Sequence, residues 1–208
     1  MGKEASMLRV ALTGGAGVGK SSVLRHLEGR GVRVMDADGI AREVVAEGTR
    51  GYRRIVARFG EEVRLPGGGL DRGALRERIT RDPDAKAALE AIVHPEIIAL
   101  MEERMDAAEG AGEPLAVVEV PLLFELGMEG MFDQVLLVRL SRELQVERLM
   151  ARDSVSRERA EALLALQMPE AEKAARGCYE VENGGTLGET LKSVDKWYDS
   201  CLKGGILS

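Results

Sequence analysis

Apolar and polar residues along the chain follow two rhythms. Short apolar runs occur at residues 8–12, 32–35, 115–120 and 135–140, and the last three stop at Asp36, Pro121 and Ser141. Runs of four to six residues, several of them β-branched, with helix-like stretches between them, predict buried parallel strands. The fold class they imply is α/β, a doubly wound parallel sheet that gathers ligands at the C-terminal ends of its strands. The rest of the chain has helical spacing. Residues 20–28 form a helix-like stretch after the first run. Residues 39–112 are helix-rich, with Ile92, Val93, Ile97, Leu100 and Met105 on a helical period and clear breaks only at residues 66–69 and at Asp82-Pro83. Such a helical insertion between strands reads as a substrate-binding subdomain or as an outer layer of the sheet. Ser141 and Ser156 are placed to cap two later helices, and Pro169 sits where a first helical position would be.

Composition narrows the class. The chain has 208 residues, 45% hydrophobic and 31% charged, which suits one domain with room for a small inserted subdomain. A formal net charge of -6 argues against a general nucleic-acid binder, whose affinity would rest on a basic surface. The two cysteines, Cys178 and Cys201, have no metal-type spacing, which predicts a reduced, cytoplasmic protein. No apolar run approaches the ~20 residues of a membrane helix. Residues 1–6 are polar and fit a loose myristoylation pattern, but a polar leader ahead of an alternative start at Met7 is the preferred reading. The ends, 1–6 and 204–208, are expected to be flexible.

The candidate chemistry begins right after the first run. Gly14-Gly15-Ala16-Gly17-Val18-Gly19-Lys20-Ser21 fits GxxxxGK[ST] in full. Glycines let successive N–H groups turn inward on phosphate oxygens, and the following helix adds its positive N-terminal end. Lys20 can reach the β- and γ-phosphates, and the Ser21 hydroxyl can bind Mg²⁺. A GTPase would need an Asn-Lys-x-Asp guanine reader, but Asn183 is the one asparagine in the sequence. A transport-ATPase signature is also absent. A small-molecule kinase remains, in which a carboxylate at the end of the next strand faces the phosphates.

Asp36 and Asp38 fit that place. In an extended segment ending a strand beside the first, two residues apart, they would point the same way. One can accept the proton of a substrate hydroxyl while the other orients it or holds a metal-bound water. Both are also placed to cap a helix starting near Gly39. Arg148 and Arg152, four apart, share a helix face suited to the charge of a transferring phosphoryl group, or to pairing with Glu147 and Asp153. His94-Pro95 reads first as a packed turn, and residues 122–124 as core. Glu119 lies near where a Walker-B acid would sit.

Taken in order, these features resemble the dephospho-coenzyme A kinase family. The matching pieces are residues 12–15 with Gly19-Lys20-Ser21, Asp36-Ala37-Asp38 with Ala41-Arg42, Phe59-Gly60, Leu70-Asp71-Arg72, His94-Pro95, Pro121-Leu122-Leu123-Phe124-Glu125, Gln145, Arg148, Arg152-Asp153, Gln167-Met168-Pro169 and Lys173-Ala174-Ala175. They span residues 7–183. The resemblance implies a single P-loop kinase unit that moves the γ-phosphate of ATP to the 3′-hydroxyl of dephospho-coenzyme A, as a cytoplasmic monomer. It implies Asp38 as base, Lys20 and Arg148 at the phosphates, and Arg152 in a mobile helical lid at 148–168. Residues 14–22, including Ser22, would bind ATP with Arg152 and Asn183. Asp36, Asp38, His94, Pro121, Leu122 and Leu123 would face the acceptor on the coenzyme A side, with 39–112 as its domain. Ser21 would hold Mg²⁺, with Glu119 through water. Two departures stand out: residues 16–18 read Ala-Gly-Val, and Glu180 occupies a normally apolar strand position. The rival readings are a kinase of another small hydroxyl compound, of the shikimate type, and a nucleotide-binding protein without turnover.

Overall fold

The computed structural model describes residues 6–203. The polar leader and the ends at 1–5 and 204–208 lie outside them. Ser6, the first described residue, donates its hydroxyl to Glu109. The chain divides into two compact units, residues 36–107 and the remainder.

The larger unit is built on a five-stranded sheet: β1 (Leu8–Thr13), β2 (Arg33–Asp36), β3 (Leu115–Glu119), β4 (Gln134–Arg139) and β5 (Tyr179–Glu182), in the order β2-β3-β1-β4-β5. The registered pairings β1 with β3, β1 with β4 and β4 with β5 are all parallel. Val10, Leu12, Val117, Leu136, Val138 and Val181 share a core with Val23 and Leu27 of α1 (Lys20–Gly29) and Val194 and Trp197 of α9 (Leu187–Leu202). The alternating residues Ala11, Ala116, Val118 and Leu137 are fully buried as well. Burial of both parities is the mark of a sheet covered on both faces, and it explains why the strands read as unbroken apolar runs. The indole N–H of Trp197 donates to Gln134 Oε1 at 3.3 Å, so the large buried ring leaves no polar orphan.

One expectation needs correction here, and one strand had no apolar signature. β2 does not lie beside β1; β3 returns between them. Four strands followed from apolar runs, but β5 did not. It is a four-residue edge strand in which only Val181 is buried, so it lacks a hydrophobic signature.

The smaller unit holds α2 (Ala37–Glu43), and in it α3 (Arg50–Phe59), α4 (Arg72–Arg81) and the first part of α5 (Pro83–Gly110) pack around Ile55, Phe59, Val63, Leu75, Ala85 and Ile92. Thr49 and Asp71 cap α3 and α4 by accepting N–H groups of Tyr52 and Ala74. The 66–69 break is a turn closed by an antiparallel bridge between Arg64 and Leu70. His94-Pro95 is not a turn: both residues lie inside α5. Proline removes one helical hydrogen bond, to the carbonyl four residues back. Here Ala91 and Pro95 are both exposed, so that carbonyl is accessible to water.

The late helices of the larger unit are α6 (Arg142–Asp153), α7 (Arg157–Ala165) and the short α8 (Glu170–Ala174). Ser141 and Ser156 cap the first two as expected, and Ser154 between them takes a left-handed φ of 52°. Pro169 is the N-cap of α8, one residue before the first helical position.

Candidate active site

The loop between β1 and α1 is bent by its glycines. Gly14 has φ 144°, and a Cβ there would lie 2.3 Å from the Val138 carbonyl oxygen. Gly19 has φ 97°, and a Cβ there would lie 2.2 Å from Asn183 Nδ2. Contacts that short admit only glycine. Gly19 also serves as the N-cap of α1 and supplies no side-chain cap, so the first N–H groups of this helix keep their capacity to bind an anion. Lys20 folds back along the loop, its Nζ donating to the Gly14 and Gly15 carbonyls at 3.0 and 3.1 Å. Val18 is buried in the core under the sheet and Ala16 packs against α6 and α7, so the Ala-Gly-Val departure is absorbed by packing. Ser21 is exposed and Ser22 half-buried at the start of α1.

Arg148 and Asn183 join this loop. Arg148 of α6 donates through Nη2 to the Asn183 carbonyl at 3.0 Å, and its Nη1 lies 3.6 Å from the point a Gly19 Cβ would occupy. Asn183 is 5% exposed; its Nδ2 donates to the Val18 carbonyl at 2.7 Å, and its Oδ1 accepts from Thr190 at 2.8 Å. The side-chain amide expected to bind ATP is thus engaged in bracing the P-loop against α9. Asn183→Ala should leave the Val18 carbonyl without this partner inside the core, costing about 1–3 kcal/mol of stability, while the Thr190 hydroxyl keeps the Glu182 and Thr186 carbonyls at 3.3 Å. Urea unfolding at constant m-value checks this; an unchanged midpoint would show that the brace is dispensable.

Pro121, Leu122 and Leu123 follow β3, whose Glu119 stands in register with Leu12 of β1. The Thr13 hydroxyl donates to the Val120 carbonyl at 2.8 Å and pins this turn to the root of the P-loop. Leu123 and Phe124 are core, whereas Leu122 is 40% exposed. Arg152 is held by Asp153 at 2.7 Å, the alternative its spacing allowed. Arg157 pairs with Glu143 and Glu161.

Asp36, Asp38 and His94 belong to the smaller unit, with His94 half-buried in α5. The two aspartates are not alternate residues of one extended segment. Asp36 ends β2 and caps α2, its Oδ1 accepting the Asp38 N–H at 2.9 Å and its Oδ2 the Gly39 N–H at 3.0 Å. Arg42 adds a third donor at 3.3 Å. Asp38 is helical and its side chain is exposed. An N-cap carboxylate satisfies amides that would otherwise be orphaned, and that demand overrides extension.

The dephospho-CoA kinase family model (CoaE) matches residues 8–189. The chain belongs to the dephospho-CoA kinase family. It is 47% identical over 187 residues to the dephospho-CoA kinase of Geobacter sulfurreducens, covering 90% of this chain and 95% of that one. Among solved structures, TT1252 from Thermus thermophilus superposes with a TM-score of 0.81 at 37% identity, covering 94% of this chain and 97% of that one. The dephospho-CoA kinase from Campylobacter jejuni gives a TM-score of 0.74 at 26% identity, covering 95% and 98%. Fold and family together make the chain a P-loop kinase.

Within this family member, the unusual Glu180 has a local cause. It lies on the edge strand β5 and pairs with Arg139 of β4, which also approaches Glu182 at 3.6 Å. The charge is exposed and matched across the strands rather than buried. These pairs hold the Arg139 guanidinium above its usual pKa, Glu180 contributing most.

Several residues around the loop carry no role in the sequence reading. Gln145 is 3% exposed, and its Nε2 donates to the Leu140 carbonyl at 2.8 Å. Gln167 and Glu170 accept N–H groups of the P-loop itself, from Ala16 at 2.9 Å and Gly15 at 2.8 Å. Lys173 has a fully buried side chain paired with Glu125 at 3.3 Å, and Glu125 also accepts the Met168 N–H at 2.8 Å. Burial would raise the Glu125 carboxyl, but the Met168 N–H and Lys173 outweigh it and hold it below the usual range. The available signal was a cluster of polar residues, 167–173, with no apolar period to explain them.

Proposed function

We propose that this protein transfers the γ-phosphate of ATP to the 3′-hydroxyl of dephospho-coenzyme A, the reaction its family is named for. The observation that carries the reading is the P-loop itself: a glycine-bent loop running into an uncapped helix, with Lys20 and Arg148 against it. The loop amides cradle the phosphates, and Lys20 leaves the Gly14 and Gly15 carbonyls to meet the γ-phosphate. Arg148, held by the Asn183 carbonyl, presents the rest of its planar fork to the transferring group. Asp38 accepts the proton of the ribose hydroxyl, and Asp36 orients the start of α2. The family resemblance assigns residues 39–112 with His94, and separately Pro121, Leu122 and Leu123, to the coenzyme A side. Arg152, within a lid at 148–168, completes the ATP side, and Asn183 serves that side by bracing the P-loop.

Among the described residues, no group of three or more His, Cys, Asp or Glu is arranged to hold a metal ion. Mg²⁺ that arrives with a nucleotide is held largely by phosphates and water. Ser21 would bind it, with Glu119 through water, and the ion would neutralise charge on the β- and γ-oxygens.

The lysine offers a first test. Lys20→Ala removes a positive contact that strengthens as charge shifts in the transition state, so kcat should fall by at least ~10²-fold. Steady-state kinetics with saturating ATP and dephospho-coenzyme A reads this. Near-normal turnover would show that residues 14–21 are not the phosphate cradle.

A further inference from the structure

Two consecutive peptide groups of the P-loop are held at both ends. In the peptide joining Gly14 to Gly15, the N–H donates to Glu170 Oε1 at 2.8 Å and the C=O accepts from Lys20 Nζ at 3.0 Å. In the peptide joining Gly15 to Ala16, the N–H donates to Gln167 Oε1 at 2.9 Å and the C=O accepts from Lys20 Nζ at 3.1 Å. A trans peptide is planar, with its N–H and C=O pointing opposite ways. An acceptor fixed on one side therefore aims the carbonyl at the other, where the ammonium lies. The loop's own chain does little to set these planes, because glycine has the widest choice of backbone angles. The acceptors press close: a Cβ on Gly15 would lie 2.6 Å from Glu170 Oε1 and 2.8 Å from Gln145 Oε1.

The segment that carries the two acceptors is anchored away from the loop. Lys173 is fully buried and pairs with Glu125 at 3.3 Å, and Glu125 accepts the Met168 N–H at 2.8 Å. The second oxygen of Glu170, Oε2, is buried without a hydrogen-bond partner, which costs free energy. Attractive charge from Lys173, Arg139 and Lys20 offsets part of that cost and keeps the carboxyl against the loop.

We propose that Glu170 and Gln167 are positioning residues for phosphoryl transfer: by orienting these two peptides they make the Gly14 and Gly15 carbonyls a seat for the Lys20 ammonium before the nucleotide binds. The inference rests on the reading of Lys20 as the γ-phosphate contact. Ordering a long lysine side chain costs rotamer freedom, and a seat built into the fold completes that ordering ahead of the reaction. Neither acceptor touches a reacting atom in this scheme. Both act through Lys20.

Single-turnover transfer from ATP to dephospho-coenzyme A, with unfolding midpoints alongside, tests this on the full chain. Glu170→Met and Gln167→Met should each slow transfer by about tenfold or more, within the ~10²-fold that a misplacement of about 1 Å can cost. Apparent affinity for ATP should change less than the rate. Glu170→Gln keeps an acceptor oxygen for the Gly15 N–H and should restore most of the rate lost in Glu170→Met. The deciding readout is a double-mutant cycle with Lys20→Ala. A residue that acts through Lys20 has nothing to act on once that side chain is gone, so Glu170→Met should add no further loss in the Lys20→Ala background. Losses that multiply would overturn the positioning role. So would wild-type rates in both methionine variants, a loss confined to ATP affinity, or a glutamine variant as slow as the methionine one. Gln167 is half-buried, and its variant carries the same cycle if Glu170→Met fails to fold. If Lys20→Ala alone transfers at near wild-type rate, the nucleotide-site reading falls and the positioning role falls with it.

Discussion

Arg148→Lys should lose activity nearly as completely as Arg148→Ala, by roughly 10³–10⁵-fold in kcat, the scale of an arginine that stabilises a transferring phosphoryl group. The geometry gives the reason. One end of the guanidinium donates to the Asn183 carbonyl at 3.0 Å, while Nη1 lies close to Gly19 at the head of α1. A planar fork can hold the carbonyl with one N–H and present others to the phosphoryl oxygens. An ammonium group is a single point of charge and cannot span both. Packing is little disturbed, because the aliphatic stem is kept; its Cβ lies 3.7 Å from the point a Gly17 Cβ would occupy. The measurement is single-turnover transfer, with the unfolding midpoint as control. Wild-type rate in the lysine variant would show that bulk charge suffices at this position. A large fall in stability with a normal rate in the folded fraction would make Arg148 a brace for Asn183.

Asp38→Asn should lower kcat by ~10²–10⁴-fold, the range for a positioned general base. A ribose hydroxyl is a poor nucleophile, and its proton must leave as the bond to phosphorus forms. Asparagine keeps the shape but cannot take the proton. The structure sharpens the choice between the two aspartates. The Asp36 carboxylate is engaged by the Asp38 and Gly39 amides and by Arg42, whereas the Asp38 side chain is exposed in the first turn of α2. Asp36→Asn should therefore cost less in rate and act on the start of the helix, where a lost cap is worth about 0.5–2 kcal/mol. A loose transition state makes a smaller demand on a base, and a ~10-fold loss for Asp38→Asn would favour positioning over proton abstraction. ATP affinity should be near wild type in both variants. If Asp36→Asn is crippled while Asp38→Asn is nearly normal, the base is assigned to the wrong residue.

The P-loop was legible because its chemistry is written in backbone requirements. Gly14 and Gly19 have no room for a Cβ, and a sequence reports that directly. The buried strands were legible because both faces of β1, β3 and β4 are covered, which leaves unbroken apolar runs. The order of the strands was not legible. Nothing in residues 33–36 says that β3 will pass between β2 and β1. The helical character of His94-Pro95 was hidden by proline's general preference for turns, which the exposed side of α5 relaxes. Asp36 and Asp38 showed which residues matter locally but not their geometry, since capping competes with extension for the same side chain. The polar surround of the P-loop was least legible. Glu170, Gln167 and Lys173 act through contacts more than a hundred residues apart in some cases, and no local period encodes those.

The acceptor is the centre of the account, and one comparison tests it. ADP formation is followed with the purified protein, ATP and Mg²⁺, offering dephospho-coenzyme A, shikimate, gluconate and a nucleoside monophosphate in turn. Dephospho-coenzyme A should give the highest kcat/KM, turnover should depend on its free 3′-hydroxyl, and coenzyme A should appear in step with ADP. A higher kcat/KM for any other acceptor, or ADP release that ignores the acceptor, would contradict this assignment.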